Sequence, residues 1–133
     1  MTPDQAYETV ADSFRLAWAD ETPVDWESGL DVKGLPEYVR FSWQPTQGSQ
    51  IDLGPRGTHR HEGVLFVQVF TEWGNGQANQ RNRVLQGRVL EWLERFDQAV
   101  TFINAHAQYV GRSDAWLQFN VSADFHYDSQ RAA

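Results

Sequence analysis

Apolar residues near the N-terminus recur at the spacing of one helix face. Tyr7, Val10, Ala11, Phe14 and Trp18 occupy the i, i+3, i+4, i+7 and i+11 positions. Thr2 can cap this helix, Pro3 fits its first turn, and Gln5 completes a capping-box pattern. The pattern predicts an N-terminal helix that ends near Asp20.

The middle of the chain changes to the alternation that is typical of strands. After a short extended piece at Val24 to Trp26 and a loop from Ser28 to Gly34, Pro36 to Pro45 alternates apolar and polar residues. Gly63 to Phe70 is almost continuously apolar, which predicts a central strand that is covered on both faces. Between these two strands, Gln47 to Glu62 is polar and rich in glycine, and we expect a long, mobile β-hairpin loop there.

The last part of the chain predicts one more helix and two more strands. The helix is expected at Gln77 to Phe96, and its core stripe is Ala78, Leu85, Val89, Trp92, Leu93 and Phe96. Val100 to Val110 and Ala115 to Tyr127 then read as an antiparallel pair. The order α-β-β-β-α-β-β predicts one α+β domain over residues 1–133, with two helices packed on a mixed or mostly antiparallel sheet.

Charge is distributed unevenly along the chain. The net charge is −7, and residues 1–37 contain nine acidic residues but only Arg15 and Lys33 as bases, whereas residues 38–133 contain nine of each sign. This balance argues against binding to the nucleic-acid backbone. With no cysteine, thiolate catalysis and cysteine-ligated metals are excluded. No signal peptide or membrane-spanning stretch is evident.

Candidate chemistry is sparse. His59 and His61 alternate on a strand and could share a metal, with His106 or His126 as a third ligand, but two histidines in a glycine-rich loop are more often surface residues. Gly74-Asn75-Gly76 lacks the third glycine of a dinucleotide fingerprint. None of the serines lies in a nucleophile elbow. We therefore expect no enzyme activity, no cofactor and no metal.

Two features favour contact with another protein. Arg81, Arg88 and Arg95 recur every seven residues along the second predicted helix, where they could meet carboxylates of a neighbouring subunit. Glu91 can pair with Arg95 within the helix. The Gln47 to Glu62 loop could gain order by adding contacts to a subunit beside it. Both features could equally be solvated surface.

The ordered set of motifs resembles the tail-terminator family of long-tailed phages and phage-like particles. The pieces that match are the helix with Phe14 and Trp18, the segment from Pro36 to Phe41, Ile51-Asp52-Leu53-Gly54, the stretch from Arg60 to Phe70, Gly74-Asn75-Gly76, and Trp116 to Val121. The resemblance spans nearly the whole chain. Each motif alone is unspecific, and the resemblance to the family depends on the order and spacing of the motifs.

What the resemblance implies is a structural protein of the virion tail, present in the host cytoplasm during assembly. It would form a ring, expected to be a hexamer, that ends polymerisation of the tail tube and offers a docking surface to the head connector. Its partners would be copies of itself, the tail tube protein and the head-completion protein, with neither sequence-specific nucleic acid nor a membrane. The interface residues predicted from the loop and the helix are Ile51, Asp52, Leu53, Arg56, His59, Arg60, Arg81 and Arg88.

Two other functions remain open from the sequence. One is a related neck or tail-completion component, which belongs to the same structural class. The other is a small ligand- or metal-binding domain that uses His59 and His61.

Overall fold

A computed structural model describes residues 1–27, 29–50, 57–74 and 76–130, with main chain only at 47–50 and 130. The elements are α1 (Pro3–Trp18), β1 (Val24–Asp25), β2 (Glu37–Gln50), β3 (Thr58–Glu72), α2 (Ala78–Arg95), β4 (Thr101–Ser113) and β5 (Trp116–Gln130). The predicted α+β class and the order α-β-β-β-α-β-β are therefore confirmed. Among the described residues, no helix is long and apolar enough to cross a membrane.

Local signals set the ends of α1. The Thr2 side chain accepts a hydrogen bond from the Gln5 main chain at 3.1 Å, and the Gln5 side chain accepts one from Thr2 at 2.9 Å. This is the predicted capping box, and it satisfies two main-chain donors that a helix leaves free. The helix ends at Trp18 because Ala19 takes a left-handed conformation with φ of 50°.

The sheet is open and has the strand order β1-β2-β3-β5-β4. β1 pairs in parallel with β2, and the other neighbours are antiparallel. The apolar strand β3 is central, as predicted. The prediction that both of its faces are covered is wrong, because Leu65, Val67 and Val69 are buried, while Val64, Phe66 and Gln68 on the other face are only half-buried. Both helices lie on the same face.

The predicted hairpin loop is also too long. Main-chain pairing continues from Gln47 opposite Glu62 to Gln50 opposite His59, after a bulge beside Pro45. β5 extends this region further by pairing Ser129 with His59. The sequence pattern missed these strand ends because their residues are polar and show no alternation of apolar and polar positions.

The core is built around Phe14 of α1. Its ring contacts Trp18 (centroids 5.2 Å apart), Trp92 of α2 (5.0 Å) and Phe41 of β2 (5.5 Å), and it is fully buried. The same cluster reaches Trp26 at 6.0 Å. Aromatic contacts therefore join both helices to the β1–β2 side of the sheet.

A buried amide attaches α2 to the centre of the sheet. Asn82, which is fully buried, donates to the main-chain oxygens of Val69 and Leu117 at 3.3 and 3.4 Å and to the Thr71 hydroxyl at 3.1 Å. Its own oxygen accepts from Gln86 at 2.7 Å. Because a buried amide needs such partners, this network fixes where α2 sits on β3 and β5.

Gly63 of β3 makes room for an aromatic stack. Trp43 of β2 and Phe125 of β5 stack with centroids 3.7 Å apart, although β3 lies between their strands. A side chain at Gly63 would overlap the Phe125 ring and the main-chain oxygen of Gln44. The glycine lets two rings meet across the central strand.

We expect Gly63→Ala to lower the free energy of unfolding by about 1–3 kcal/mol, the usual effect of overpacking a filled core. The matched control is Gly87→Ala in α2, where an added methyl group meets nothing within 4 Å. Alanine there should instead stabilise the helix by up to about 1 kcal/mol. Urea unfolding followed by tryptophan fluorescence measures both. A Gly63→Ala variant as stable as the parent would contradict the packing described here.

Candidate assembly surfaces

Glu21, Glu37, Arg81 and Arg88 form one ion-pair group, here called the Glu21 cluster. Glu21 lies just after α1. Its carboxylate forms ion pairs with the guanidinium groups of Arg81, at 3.0 Å, and Arg88, at 2.7 Å. Arg81 also reaches Glu37 at the start of β2, at 2.7 Å. The cluster therefore joins α2 to the end of α1 and to the sheet.

Arg88 makes two further contacts with the end of α1. It donates to the main-chain oxygen of Ala17 at 3.2 Å, and its guanidinium lies 5.3 Å from the Trp18 ring centroid. A cation at the C-terminal end of a helix is stabilised by the helix dipole and by the free carbonyl groups there. Arg88 thus offsets the charge of Glu21 and caps α1.

The arginine row of α2 is therefore engaged within the chain. Arg81 and Arg88 lie on Glu21 and Glu37, and Arg95 pairs with Glu91 at 2.9 Å, as predicted for that pair. The carboxylate partners are 44 to 67 positions away from the two arginines in the sequence, so no local pattern could have revealed them. Contact of Arg81 and Arg88 with a neighbouring subunit stays a prediction.

The second charged site lies where β3 begins beside β5. Arg60 binds both oxygens of Asp128, at 2.9 and 3.1 Å. The hydrogen bond from Arg60 holds the pKa of Asp128 below its usual range. This ion pair joins the start of β3 to the end of β5.

The two histidines of β3 both contact aromatic rings. His61 stacks on Tyr127 with centroids 4.8 Å apart and lies 2.8 Å from the Ser129 hydroxyl, while His59 meets His61 edge-on at 4.7 Å. Burial lowers the pKa of His61, and the neighbouring His59 lowers it further. The neutral form of His61 is therefore favoured over the charged form.

The structure does not bring the four histidines together. His61 is paired with Tyr127 and Glu62 with His126, so His61 and His126 project from opposite faces of the sheet. His126 is on the face of the sheet that carries no helix. His106 lies on that face too, with its ring 3.3 Å from the Ser122 hydroxyl. Among the described residues, no group of three histidine or acidic side chains is placed to hold a metal ion.

Four of the predicted interface residues, Ile51, Asp52, Leu53 and Arg56, lie outside the described residues. His59, Arg60, Arg81 and Arg88 are described and belong to two separate places, the start of β3 and the Glu21 cluster. The predicted set therefore does not form one continuous patch in the described part of the chain.

The sheet face opposite the helices is lined mainly by polar side chains. Arg40 donates to the buried carboxylate of Asp25 at 3.0 Å and to Gln68 at 3.4 Å. Burial disfavours the charged form of Asp25, but the hydrogen bond and charge of Arg40 outweigh it and lower the pKa of Asp25. An apolar group, in which Tyr38 stacks on Phe70 with centroids 4.5 Å apart and Trp116 stands edge-on, occupies one end of this face.

The sequence interpretation missed the surface of β4. Almost every residue of this edge strand is exposed, and three large apolar side chains are about half exposed: Ile103 (48%), Tyr109 (59%) and Val110 (51%). The signal was available, since residues 101–111 contain no aspartate, glutamate, lysine or arginine. A long strand without those charges is unusual at a sheet edge.

Comparison with known proteins finds a solved structure of similar fold. No protein-family model matches the chain, and no curated protein matches it. A solved structure of a protein whose designation says nothing of function superposes with a TM-score of 0.56 at 17% sequence identity. The match covers 93% of this chain and 96% of that one. At this identity the likeness shows the fold alone, and the resemblance to tail terminators stays a prediction.

We expect Glu21→Gln to lower the free energy of unfolding at pH 7 by about 0.5–1 kcal/mol, since it removes the charge shared by two half-buried arginines. The hydrogen bond from Arg81 lowers the pKa of Glu21 in the folded protein. In the unfolded chain this pKa is about 4.3. The stabilisation is therefore fully present above that pH and is lost as the pH falls through the lower, folded pKa.

Urea unfolding at pH 7 and again at about pH 3, well below the unfolded pKa, tests this expectation. The gap between the parent and Glu21→Gln should shrink at the lower pH. Glu91→Gln is the control, because the Glu91–Arg95 pair is more exposed and lies within one helix. A gap of the same size at both pH values would show that the charge of Glu21 does not stabilise the fold.

Proposed function

We propose that this protein is a structural assembly protein of the tail-terminator kind, which closes the end of a phage tail tube as a ring of its own copies. The observation that carries the proposal is the one-sided covering of the sheet. Both helices bury one face, while in the described part of the chain the opposite face has no helix on it and the outer edge of β4 has no paired strand. Exposed apolar side chains on a strand whose outer edge is unpaired are typical of protein-contact surfaces.

The fold agrees with this proposal. The resemblance in the sequence implies a sheet-and-helix subunit, and the α+β order of elements is of that kind. A fold alone does not assign a function, because unrelated functions share folds. The assignment to a phage tail is supported by the order of the sequence motifs.

The proposed assembly has three partners. Copies of the chain form the ring, for which we propose six subunits, the tail tube protein binds one side, and the head-completion protein binds the other. A ring with two different sides requires a head-to-tail contact, in which two different surfaces of the subunit meet. The described subunit offers such a difference, because its acidic residues are concentrated in the first 37 positions.

Deleting the gene in the phage or prophage that encodes it should give tails of unregulated length, because nothing would end tube polymerisation. Electron microscopy of the particles measures the length distribution, and expression of the parent protein in the same strain is the control. The purified protein should form rings in native mass spectrometry. Tails of normal length without attached heads would instead favour a neck or tail-completion component.

A further inference from the structure

The two outer edges of the sheet differ in how far their main-chain groups are occupied. On the β2 side, the Val39 N–H donates to the Pro23 carbonyl at 3.1 Å. The Trp43 N–H donates to the Glu27 carboxylate at 3.2 Å. Pro45, two positions further, has no N–H at all. A strand from another molecule is therefore blocked along this stretch of β2.

The outer edge of β4 is open in the part of the chain that the structure describes, since β4 pairs there with β5 alone. Bulges interrupt that pairing beside Asn104 and at Val110, and the register between them, from His106 to Tyr109, is regular. The Asn104 carbonyl already lies 2.8 Å from a ring nitrogen of His106. An added strand would therefore form its main-chain hydrogen bonds along the regular stretch.

The helix layer stops short of β4. Ala107 and Tyr109 pair with Val121 and Phe119 of β5, so their side chains lie on the face that carries the helices. Both residues are nevertheless exposed, and Ile103 on the opposite face is exposed as well. A second sheet can therefore join β4 and cover apolar side chains on both faces.

Two arginines lie near the C-terminal end of β4. Arg112 belongs to the strand itself. Arg83 follows Asn82 in α2, and Asn82 donates to the carbonyl of Leu117 at 3.4 Å. Leu117 is the residue of β5 that pairs with Arg112, so Arg83 lies at the same level of the sheet. Arg83 is also on the flank of α2 away from Arg88, which contacts α1.

Two carboxylates lie near the other end of β4. Asp97 follows Phe96, whose ring contacts Phe102 at the start of β4 with centroids 5.1 Å apart. Glu94 is eleven positions after Arg83, three turns along the same flank of α2. Among the described residues, neither these carboxylates nor the two arginines belong to an ion pair. The open edge is thus positive at one end and negative at the other.

This arrangement of charge is self-complementary. If two copies meet edge to edge about a two-fold axis, their β4 strands run antiparallel, and the positive end of each lies beside the negative end of the other. A parallel arrangement would place like charges together. Residues 101–111 contain no aspartate, glutamate, lysine or arginine, so no charge lies at the axis although each chain has a net charge of −7.

We propose that the β4 edge binds the β4 edge of a second copy of this chain in a two-fold dimer, with the axis near Ala107. Arg83 and Arg112 of one copy would face Glu94 and Asp97 of the other. Both outer borders of the joined sheet are then β2 sides, so the contact ends at two copies. The proposal goes beyond the ring-forming function, because a ring needs a head-to-tail contact and this contact is two-fold. The dimer would keep the β4 edge covered before the subunits assemble.

Engineered cysteines test the axis on a background that has none. Residues that oppose each other in antiparallel strands have α-carbons about 4.5–5.5 Å apart, within the limit of about 7 Å for a disulfide. Ala107→Cys should therefore give a disulfide-linked dimer on a non-reducing gel and no larger species. Gln80→Cys, on the exposed outer side of α2, is the control and should remain monomeric.

A bismaleimide with a span of about 8 Å, used on the same variants, covers a shift of the axis by one residue. Absence of a dimer from Ala107→Cys with both treatments would overturn the proposal. An equal yield of dimer from Gln80→Cys would overturn it too, since that result would show random collision.

An exchange of charge tests the orientation of the two copies. Glu94→Arg should weaken dimerisation about two- to ten-fold at low salt and less at high salt, because the two-fold axis removes the ionic contact twice. Arg83→Glu should act in the same way, and a variant with both changes should recover the affinity of the parent. Glu8→Arg, an equal change of charge on the exposed side of α1, is the matched control and should have little effect.

Analytical ultracentrifugation over a range of protein concentrations measures these affinities. Equal weakening by Glu8→Arg, or no recovery in the double variant, would overturn the proposal. Rings in native mass spectrometry from a protein that gives no β4-linked dimer would overturn the dimer and leave the proposed function standing. A β4-linked dimer together with tails of regulated length in the deletion strain would support the dimer and overturn the tail-terminator function.

Discussion

Burial of both helices on one face of the sheet is the constraint on which the rest of the structure depends. Phe14 forms the centre of that burial, because its ring contacts α2, β2 and Trp26 together. Since the helices occupy a single face, the alternate residues of every strand are left on the other. The same arrangement places α1 and its acidic residues over β2 and leaves β4 at the far edge. The uneven charge and the unpaired outer edge of β4 in the described chain thus both follow from the packing of the two helices on one face.

The sequence predicted the fold well wherever a residue's role is local. The cap at Thr2, the apolar stripe of α1 and the alternation of Val39, Phe41 and Trp43 each depend on near neighbours, and each was confirmed. Strand ends were underestimated where polar residues pair, as at Gln47 and His59. The double covering of β3 was wrong because an apolar run reports hydrophobicity, whereas the number of covering layers depends on where both helices pack.

The candidate surfaces were harder to predict. Arg81 and Arg88 were singled out by their seven-residue spacing as candidates for contact with carboxylates of a neighbouring subunit, and that contact stays a prediction. Their partners, Glu21 and Glu37, come from other parts of the chain and become neighbours only in the folded protein. β4 was predicted as a strand, but its place at the edge depends on the β3–β5 pairing, which no local pattern encodes. Asn82 lies on the apolar stripe of α2 between Ala78 and Leu85, but its polar side chain kept it out of the predicted core, although it is fully buried.

The carboxylate of Glu27 that accepts from the Trp43 N–H has a consequence for the newly made protein. Amyloid-like stacking requires that both borders of a sheet accept further strands, since growth in one dimension repeats the same step. Here the Glu27 carboxylate occupies the Trp43 N–H on one border and Pro45 has no N–H, so addition of a strand along this stretch of β2 is blocked. An exposed strand on the opposite border is therefore compatible with a protein that accumulates in a crowded cell without precipitating.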